Sequence, residues 1–370
     1  MAIDRTNGIT ASEINNEFPS VIDGGDLLSK SISSYKGAVG RKTNDPNSIY
    51  VFPRGASSIK YSDFDLFERK CIIDVLLIAG GGGGGSGAVV SNVVKSGGGG
   101  GAGGLNVFNN IVIDPNQDCT IRVGASGTRG INGGRGENGS NSLFTVSGTD
   151  YRTLGGGGGG GADTNGADGG SGGGGGGRLG TTGGEKTVSD LNNNRTSDGR
   201  DGGSGAETGN NNSEGGGGGG KSGAGGNADI GTVNGEGGTG FDLEDFMGGA
   251  WTTVPNLRRR VAGGGGGGRT TLPRGGAAGR DGGGRGADEV NNAETGDNLS
   301  GGGGGGGCGD RLSSRGGSGL VVVRYRSTIA VSNAGTILTG TVGGINYVFH
   351  VFKDTDEIND SINFKILNTV

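Results

Sequence analysis

Seven uninterrupted runs of glycine, each five to seven residues long, constrain this chain more than any other feature. Glycine supplies 97 of the 370 residues, whereas hydrophobic residues make up only 29%. A side-chain core for the whole chain cannot be built from this composition, so order must come from backbone hydrogen bonds. The alternative is low-complexity disorder, but the uniform length of the runs favours a repeated, ordered element. The runs are Gly80–Gly85, Gly97–Gly101, Gly155–Gly161, Gly172–Gly177, Gly215–Gly220, Gly263–Gly268 and Gly301–Gly307.

A period of three accompanies the runs. In the segment GASGTRGINGGRGENGS (124–140), glycine recurs at every third position. Three residues per turn is the repeat of the polyproline-II helix, which rises ~3.1 Å per residue and makes no internal hydrogen bonds. Collagen shares this period but needs abundant proline, and the chain has six prolines. We therefore predict polyglycine-II helices stacked side by side, each bonding its neighbours through outward-pointing N–H and C=O groups.

Apolar, β-branched segments flank the glycine runs. Residues 71–79 (CIIDVLLIA) and 319–327 (GLVVVRYRS) predict strands, as do residues 119–126. Residues 336–352 predict a hairpin that turns at Gly343-Gly344. The expected fold class is mostly irregular and β, with stacked polyglycine-II helices and flanking strands. We divide the chain into an N-terminal module (1–71), a glycine-rich domain (72–327) and a C-terminal β segment (328–370).

Several function classes are disfavoured by composition. The net charge of −5 argues against a nucleic-acid partner. Three widely spaced cysteines and one histidine favour neither a disulfide framework, a metal site nor a Ser-His-Asp triad. No segment approaches eighteen apolar residues, so we expect no membrane insertion. The first ten residues lack the apolar region of a secretory signal, which predicts assembly in a cytoplasm. We expect no enzymatic activity and no cofactor.

Residues 213–226 (SEGGGGGGKSGAGG) match the Walker A pattern, because Gly215 is followed at the right spacing by Gly220, Lys221 and Ser222. A working phosphate loop needs a strand before it and a helix after it. The flanking sequence predicts neither, so we interpret the match as a by-product of glycine content. Residues 158–170 partly match a calcium-binding nonapeptide, but the pattern does not repeat, and solvated turns are the better interpretation.

Long polar insertions interrupt the glycine-rich domain at residues 178–214, 221–262 and 269–300. We expect them to cluster at the two ends of the stack, where loops on a rigid scaffold serve recognition or act only as connectors. Trp251 is the only tryptophan, and it could stack on a sugar ring or anchor its own segment by packing. The candidate receptor contacts are Trp251, Arg258, Arg259, Arg260, Asn192, Asn193 and Asn194.

Two parts of the sequence contain phrases that recur in known protein families. The phrases ITASEINNEF, SISSYKGAVG and SSIKYSDF, within residues 9–64, are similar to a short module of tail, collar and fibre proteins, especially from phages of marine hosts. Residues 41–56 depart from that pattern. The landmarks DVLLIAGGGGGG, TIRVGASG and GGSGLVVVRY, within residues 74–325, resemble the glycine-rich domain of phage tail-fibre and adhesin proteins. The phrase GGINYVFHVF follows this domain here, whereas a similar phrase precedes it in the family.

This resemblance implies a virion protein of a tailed phage that serves in attachment and has no catalytic activity. The N-terminal module would dock to other virion proteins, and the glycine-rich domain would present loops to a host-surface polysaccharide. Such a protein would be present as a homo-oligomer or in multiple copies on each virion. A purely structural collar, decoration or fibre-shaft subunit is the alternative. An ice-binding protein would need a flat, regular face, which the charged insertions disfavour.

Overall fold

A computed structural model describes residues 20–21, 39–42, 45–51, 70–114, 117–188, 198–208, 212–229, 235–270, 277–326, 334–353 and 362–364. Strands and irregular segments dominate these residues, with one short α-helix and one 3₁₀ helix. The first strands are β1 (Ser20–Val21), β2 (Val39–Lys42), β3 (Asp45–Val51), β4 (Lys70–Ile78), β5 (Ala88–Val90), β6 (Val93–Lys95), β7 (Leu105–Ile113), β8 (Cys119–Arg122), β9 (Ser142–Val146) and β10 (Thr149–Thr153). They are followed by β11 (Ala206–Thr208), β12 (Asn212–Glu214), β13 (Phe241–Asp242), α1 (Glu244–Met247), the 3₁₀ helix (Gly248–Thr253), β14 (Arg260–Val261), β15 (Leu320–Arg326), β16 (Thr336–Val342), β17 (Ile345–Lys353) and β18 (Ile362–Phe364).

The largest sheet is antiparallel and is built around β4. Its strand order is β1-β2-β3-β4-β15-β17-β16, and β7 also pairs with β4. Because β4 and β15 are rich in β-branched residues, both faces of each strand can be covered by apolar groups. Asp74 interrupts this apolar run, and Arg324 lies opposite it on β15. Their side chains form an ion pair, with Nε of Arg324 3.0 Å from Oδ2 of Asp74.

Each face of the main sheet has its own apolar cluster. One face carries Ile73, Val75 and Leu77 and packs against a second sheet, whose order is β10-β9-β8-β18. The other face carries Leu76 and Ile78 and is covered by α1 and the 3₁₀ helix. Alternate residues of β4 therefore enter opposite clusters, as the two-residue period of a strand requires.

The seven glycine runs lie side by side, and we call this assembly the glycine stack. All seven runs are buried. In the first run, residues three apart donate to the same neighbour at 2.8 to 3.0 Å. Gly80 and Gly83 donate to segment 137–140, Gly81 and Gly84 to segment 314–317, and Gly82 and Gly85 to segment 98–101. The carbonyls of this run accept from three further segments, 127–130, 156–159 and 304–307. One run is thus bonded to six neighbours.

The glycine stack has two different ends. Its first run continues directly from β4, and its last segment, 313–319, leads into β15. We call the end that joins the main sheet the sheet end. The opposite, free end carries the hairpins β5–β6 and β11–β12. These hairpins are joined by the buried residues Ser96 and Ser213, since Oγ of Ser96 donates to the Ser213 carbonyl at 2.8 Å.

The predicted strands and hairpin are confirmed. Residues 70–78 and 320–326 form β4 and β15, and β16 and β17 pair across the turn at Gly343-Gly344. The strand predicted over residues 119–126 is shorter than expected, because β8 ends at Arg122. The expected fold class is confirmed as mostly β and irregular. The main sheet contains strands from the N-terminal module, the glycine-rich domain and the C-terminal β segment, since β3 and β17 both pair into it. Most of the N-terminal module lies outside the described residues.

The position of the polar insertions differs from the prediction, which placed them only at the two ends of the stack. Parts of them run alongside the glycine runs and bond to them. The amide of Gly184 donates to Gly173 at 2.7 Å, and that of Gly203 donates to Gly217 at 2.8 Å. The expectation was wrong for these parts because glycines scattered through the insertions also allow close backbone approach.

Candidate recognition groove

A polar groove lies where the sheet end of the stack meets the turn after the 3₁₀ helix. Its cavity volume is about 450 Å³, within the range of ~300–1,000 Å³ typical of small-molecule sites. Three separate segments supply most of the lining, which continues into a neighbouring part of the groove. We call this surface the recognition groove, and its lining residues are Ser126, Pro255, Asn256, Leu257, Arg258, Thr295, Gly296, Asp297, Asn298, Leu299, Arg315, Ser318 and Lys353.

Two tight turns give the groove its shape. In the first, Val254 and Leu257 are buried in the apolar cluster, and Asn256 between them has a positive φ of 64°. Asparagine tolerates this left-handed conformation better than most residues. In the second, Leu299 has a φ of 65°, and its amide donates to Oγ of Ser318 at 3.1 Å. The buried leucines anchor the two turns and leave Asn256 and Asn298 exposed.

The charged groups of the groove are one ion pair and two further cations. Arg258 meets Asp297 with two contacts, Nε to Oδ2 at 2.5 Å and Nη2 to Oδ1 at 3.2 Å. Burial raises the pKa of the Asp297 carboxyl, and the adjacent Arg258 opposes that shift. Among the described residues, neither Arg315 nor Lys353 forms an ion pair. The lining therefore carries three cations and one carboxylate, on a chain whose net charge is −5.

The other two arginines of the predicted contact set face other carboxylates. Arg259 pairs with Asp242, with Nε 3.0 Å from Oδ2, and this hydrogen bond lowers the pKa of the Asp242 carboxyl. Nη1 of Arg260 lies 3.8 Å from Oδ2 of Asp281. The short β13–β14 pairing places both arginines away from the groove lining. Of the three consecutive arginines, Arg258 alone lines the recognition groove.

Trp251 is half-buried and is not among the groove residues. Its ring packs against the apolar cluster beneath α1, and Nε1 donates to Oε2 of Glu244 at 3.0 Å. Both contacts correspond to the packing role that the sequence left open for this residue. The candidates Asn192, Asn193 and Asn194 lie outside the described residues.

The backbone of the Walker-like segment is already engaged. Each amide from Gly215 to Ser222 donates to a backbone carbonyl outside the run Gly215–Gly220, for example Gly218 to Gly265 at 2.9 Å. A phosphate loop needs such amides to point at its ligand. These donors are used inside the stack, so the segment is scaffold.

In the nonapeptide-like segment (158–170), Asp163 forms an ion pair with Lys95 from outside the segment. Nζ of Lys95 lies 2.7 Å from Oδ1 of Asp163. Within the described residues, no three His, Cys, Asp or Glu side chains are grouped as a metal site would require.

The helices in the described part of the chain are too short and too polar to span a membrane.

Apart from Arg258, the sequence did not indicate the residues that line the groove, among them Asn256, Asn298, Arg315 and Lys353. The only local signal is a pair of similar turn sequences, PNL (255–257) and DNL (297–299), in which asparagine precedes a leucine that becomes buried. Arg315 and Lys353 carry no such signal, because their place in the groove depends on the stack and on β17.

Comparison with known proteins gives one family. A family described as a glycine-rich domain matches residues 63–326, which is more than half of the chain. No curated protein matches the sequence. The match covers all seven glycine runs together with β4 and β15, the two strands that lead into and out of the stack. The chain therefore belongs to the glycine-rich domain family.

Proposed function

We propose that the chain is a non-enzymatic virion protein of a tailed bacteriophage, of the tail-fibre or adhesin type. In this proposal the N-terminal module attaches to other virion proteins, and the glycine-rich domain carries a recognition site for host-surface polysaccharide. The proposal draws on the resemblance of two sequence segments to phage proteins. It also predicts a homo-oligomer or several copies on each particle.

The observation that carries the proposal is the position of the recognition groove relative to the N-terminal strands. Strand β3 pairs with the start of β4, at Cys71 and Lys70. The groove lies beyond the other end of β4, where the stack begins. The seven residues of β4 that follow Cys71 span ~23 Å, at about 3.3 Å per residue. A chain attached through its N-terminal strands would therefore hold the groove and the stack away from the particle.

The scaffold itself fits stacked polyglycine-II helices. Residues three apart share a neighbour, each amide bonds outside its own run, and the first run has six bonded neighbours. These are the properties expected when helices with three residues per turn pack side by side without side chains. Such a scaffold would hold the turns of the groove rigidly, which reduces the entropy lost on binding.

The experiment that tests the proposal is competition for adsorption. Purified full-length chain is added to host cells before the phage, and free phage are counted over time. We expect a dose-dependent fall in adsorption, because a soluble receptor-binding subunit occupies the same surface polysaccharide. Unchanged adsorption at saturating protein would contradict the recognition function.

A structural subunit of the collar, shaft or capsid surface is the second candidate. It is favoured by the candidate contacts that are already engaged: Arg259 and Arg260 face carboxylates, and Trp251 packs into its own segment. Antibody labelling of intact virions separates the two functions. Label at a distal fibre tip supports recognition, whereas label at the collar or capsid without adsorption competition supports the structural role.

A further inference from the structure

We propose that the recognition groove binds an acidic saccharide, and that the Arg315 guanidinium meets the carboxylate or sulfate group of the sugar. This inference rests on the proposed function, since it names the chemical class of the polysaccharide. It assigns the contact to a residue outside the set that the sequence indicated.

The lining of the groove carries more positive than negative charge. Asp297 is engaged by two contacts from Arg258, so its charge is compensated within the groove. Arg315 is exposed and Lys353 is half-buried, and the described residues give neither of them a carboxylate partner. Two uncompensated cations in one groove create a positive electrostatic potential, which would attract an anionic group of a ligand.

Aromatic side chains are absent from the described lining of the groove. The described lining residues are polar, charged or aliphatic. A neutral sugar would thus lack a flat aromatic face against which to stack. It would gain only hydrogen bonds exchanged with water, whose net contribution to affinity is small. Hydrogen bonds to an ionised group are roughly twice as strong, so affinity in this groove must come from charge.

The hydrogen-bond donors of the groove have a geometry that fits an acidic sugar. A guanidinium presents its N–H groups as a planar fork that matches the two oxygens of a carboxylate, or two oxygens of a sulfate. Asn256 and Asn298 flank Arg315 in both parts of the groove and are exposed. Each amide side chain both donates and accepts, as the hydroxyl groups of a sugar require. Arg315 therefore selects the anion, and the asparagines bind the ring hydroxyls.

The test is titration calorimetry of the full chain with three probes of matched length. The probes are an oligogalacturonate, a sulfated galactan oligosaccharide and the neutral galactan oligosaccharide. We expect binding to at least one acidic probe and at least tenfold weaker binding to the neutral one. The two acidic probes distinguish a carboxylate from a sulfate ligand. Binding should weaken as salt is raised, because exposed charges are screened.

Two variants assign the contact. Arg315→Gln should weaken binding of the acidic probe at least tenfold. Arg259→Gln is the matched control, since Arg259 is also an exposed arginine but lies outside the groove lining. It should bind like the unaltered chain. Both side chains are exposed, and circular dichroism should give the same spectrum for both variants.

Three outcomes would overturn the inference. They are equal affinity for neutral and acidic probes, equal loss of affinity in the two variants, and binding that neither variant changes. In each of these cases the chain still binds a saccharide, so the proposed function is not contradicted. Binding to none of the probes would also overturn the inference, and adsorption competition would then decide the proposed function separately.

Discussion

At the scale of single residues, the glycines of the stack differ sharply in what surrounds them. A Cβ added at Gly218 would overlap the carbonyl oxygen of Gly100 and would lie 2.8 Å from the amide nitrogen of Gly101. All of these contacts are backbone atoms, which cannot rotate away. At Gly249, in the 3₁₀ helix, an added Cβ would meet no atom within 4 Å. The need for glycine is therefore steric at Gly218 and absent at Gly249.

This difference predicts opposite effects of the same substitution. Gly249→Ala should raise the free energy of unfolding by about 0.4–1 kcal/mol, because alanine restricts the unfolded chain. Gly218→Ala should lower it by about 3 kcal/mol, since overpacking outweighs that gain. Denaturant unfolding of the two variants and the unaltered chain measures both changes. Equal stability of the two variants would show that the Gly218 run is not closely packed.

At the scale of elements, the single histidine of the chain adds side-chain hydrogen bonds between β17, its neighbour β15 and the residues before β16. Nδ1 of His350 lies 2.8 Å from the Ala334 carbonyl, so this nitrogen carries the proton and donates. Nε2 then accepts from the Tyr325 hydroxyl on β15 at 2.8 Å. His350 is fully buried, and burial lowers the pKa of its imidazole below the ordinary value near 6.5.

Because the pKa of His350 is lowered, we predict that the free energy of unfolding decreases as the pH is lowered below 6.5. Above pH 6.5 the imidazole is neutral in both the folded and unfolded states, and stability does not depend on it. Below pH 6.5 the unfolded chain binds a proton that the folded chain excludes, so unfolding becomes easier by up to ~1.4 kcal/mol per pH unit. Unfolding of the chain at pH 7.5, 6.5 and 5.5 measures this slope.

His350→Gln is the control for this prediction, because glutamine stays neutral and can still accept from Tyr325. The chain has one histidine, so no other imidazole titrates in this window. The slope between pH 6.5 and 5.5 should be smaller in the variant. An unchanged slope would assign the pH dependence to other groups.

The elements that sequence predicted are those with a periodic or apolar signal. β4 and β15 were indicated by β-branched runs, the hairpin by alternation around Gly343-Gly344, and the stack by its period of three. The neighbours of each run were not predictable, because runs of identical glycines carry no side chains that distinguish one neighbour from another. The recognition groove was not predictable for a related reason. Asn256, Asn298 and Arg315 come from three segments that only the folded stack brings together.

At the scale of the whole molecule, the sheets and the glycine stack are stabilised by different kinds of interaction. The sheets and helices are stabilised by apolar clusters on both faces of the main sheet. The glycine stack has backbone hydrogen bonds in place of a side-chain core. Ordering glycine costs more backbone entropy than ordering any other residue. The stack must therefore form cooperatively, since a single run would gain too few bonds to offset that cost.

The most direct test of this account is amide hydrogen exchange of the glycine runs, followed by mass spectrometry of the intact chain and its peptides. The peptide that spans residues 213–226 is informative, because every amide from Gly215 to Ser222 donates to a backbone carbonyl outside the run Gly215–Gly220. We predict that these amides exchange far more slowly than in the same chain unfolded by denaturant, and that all seven runs become exposed together. Exchange of the runs at the rate of the unfolded chain would contradict the account.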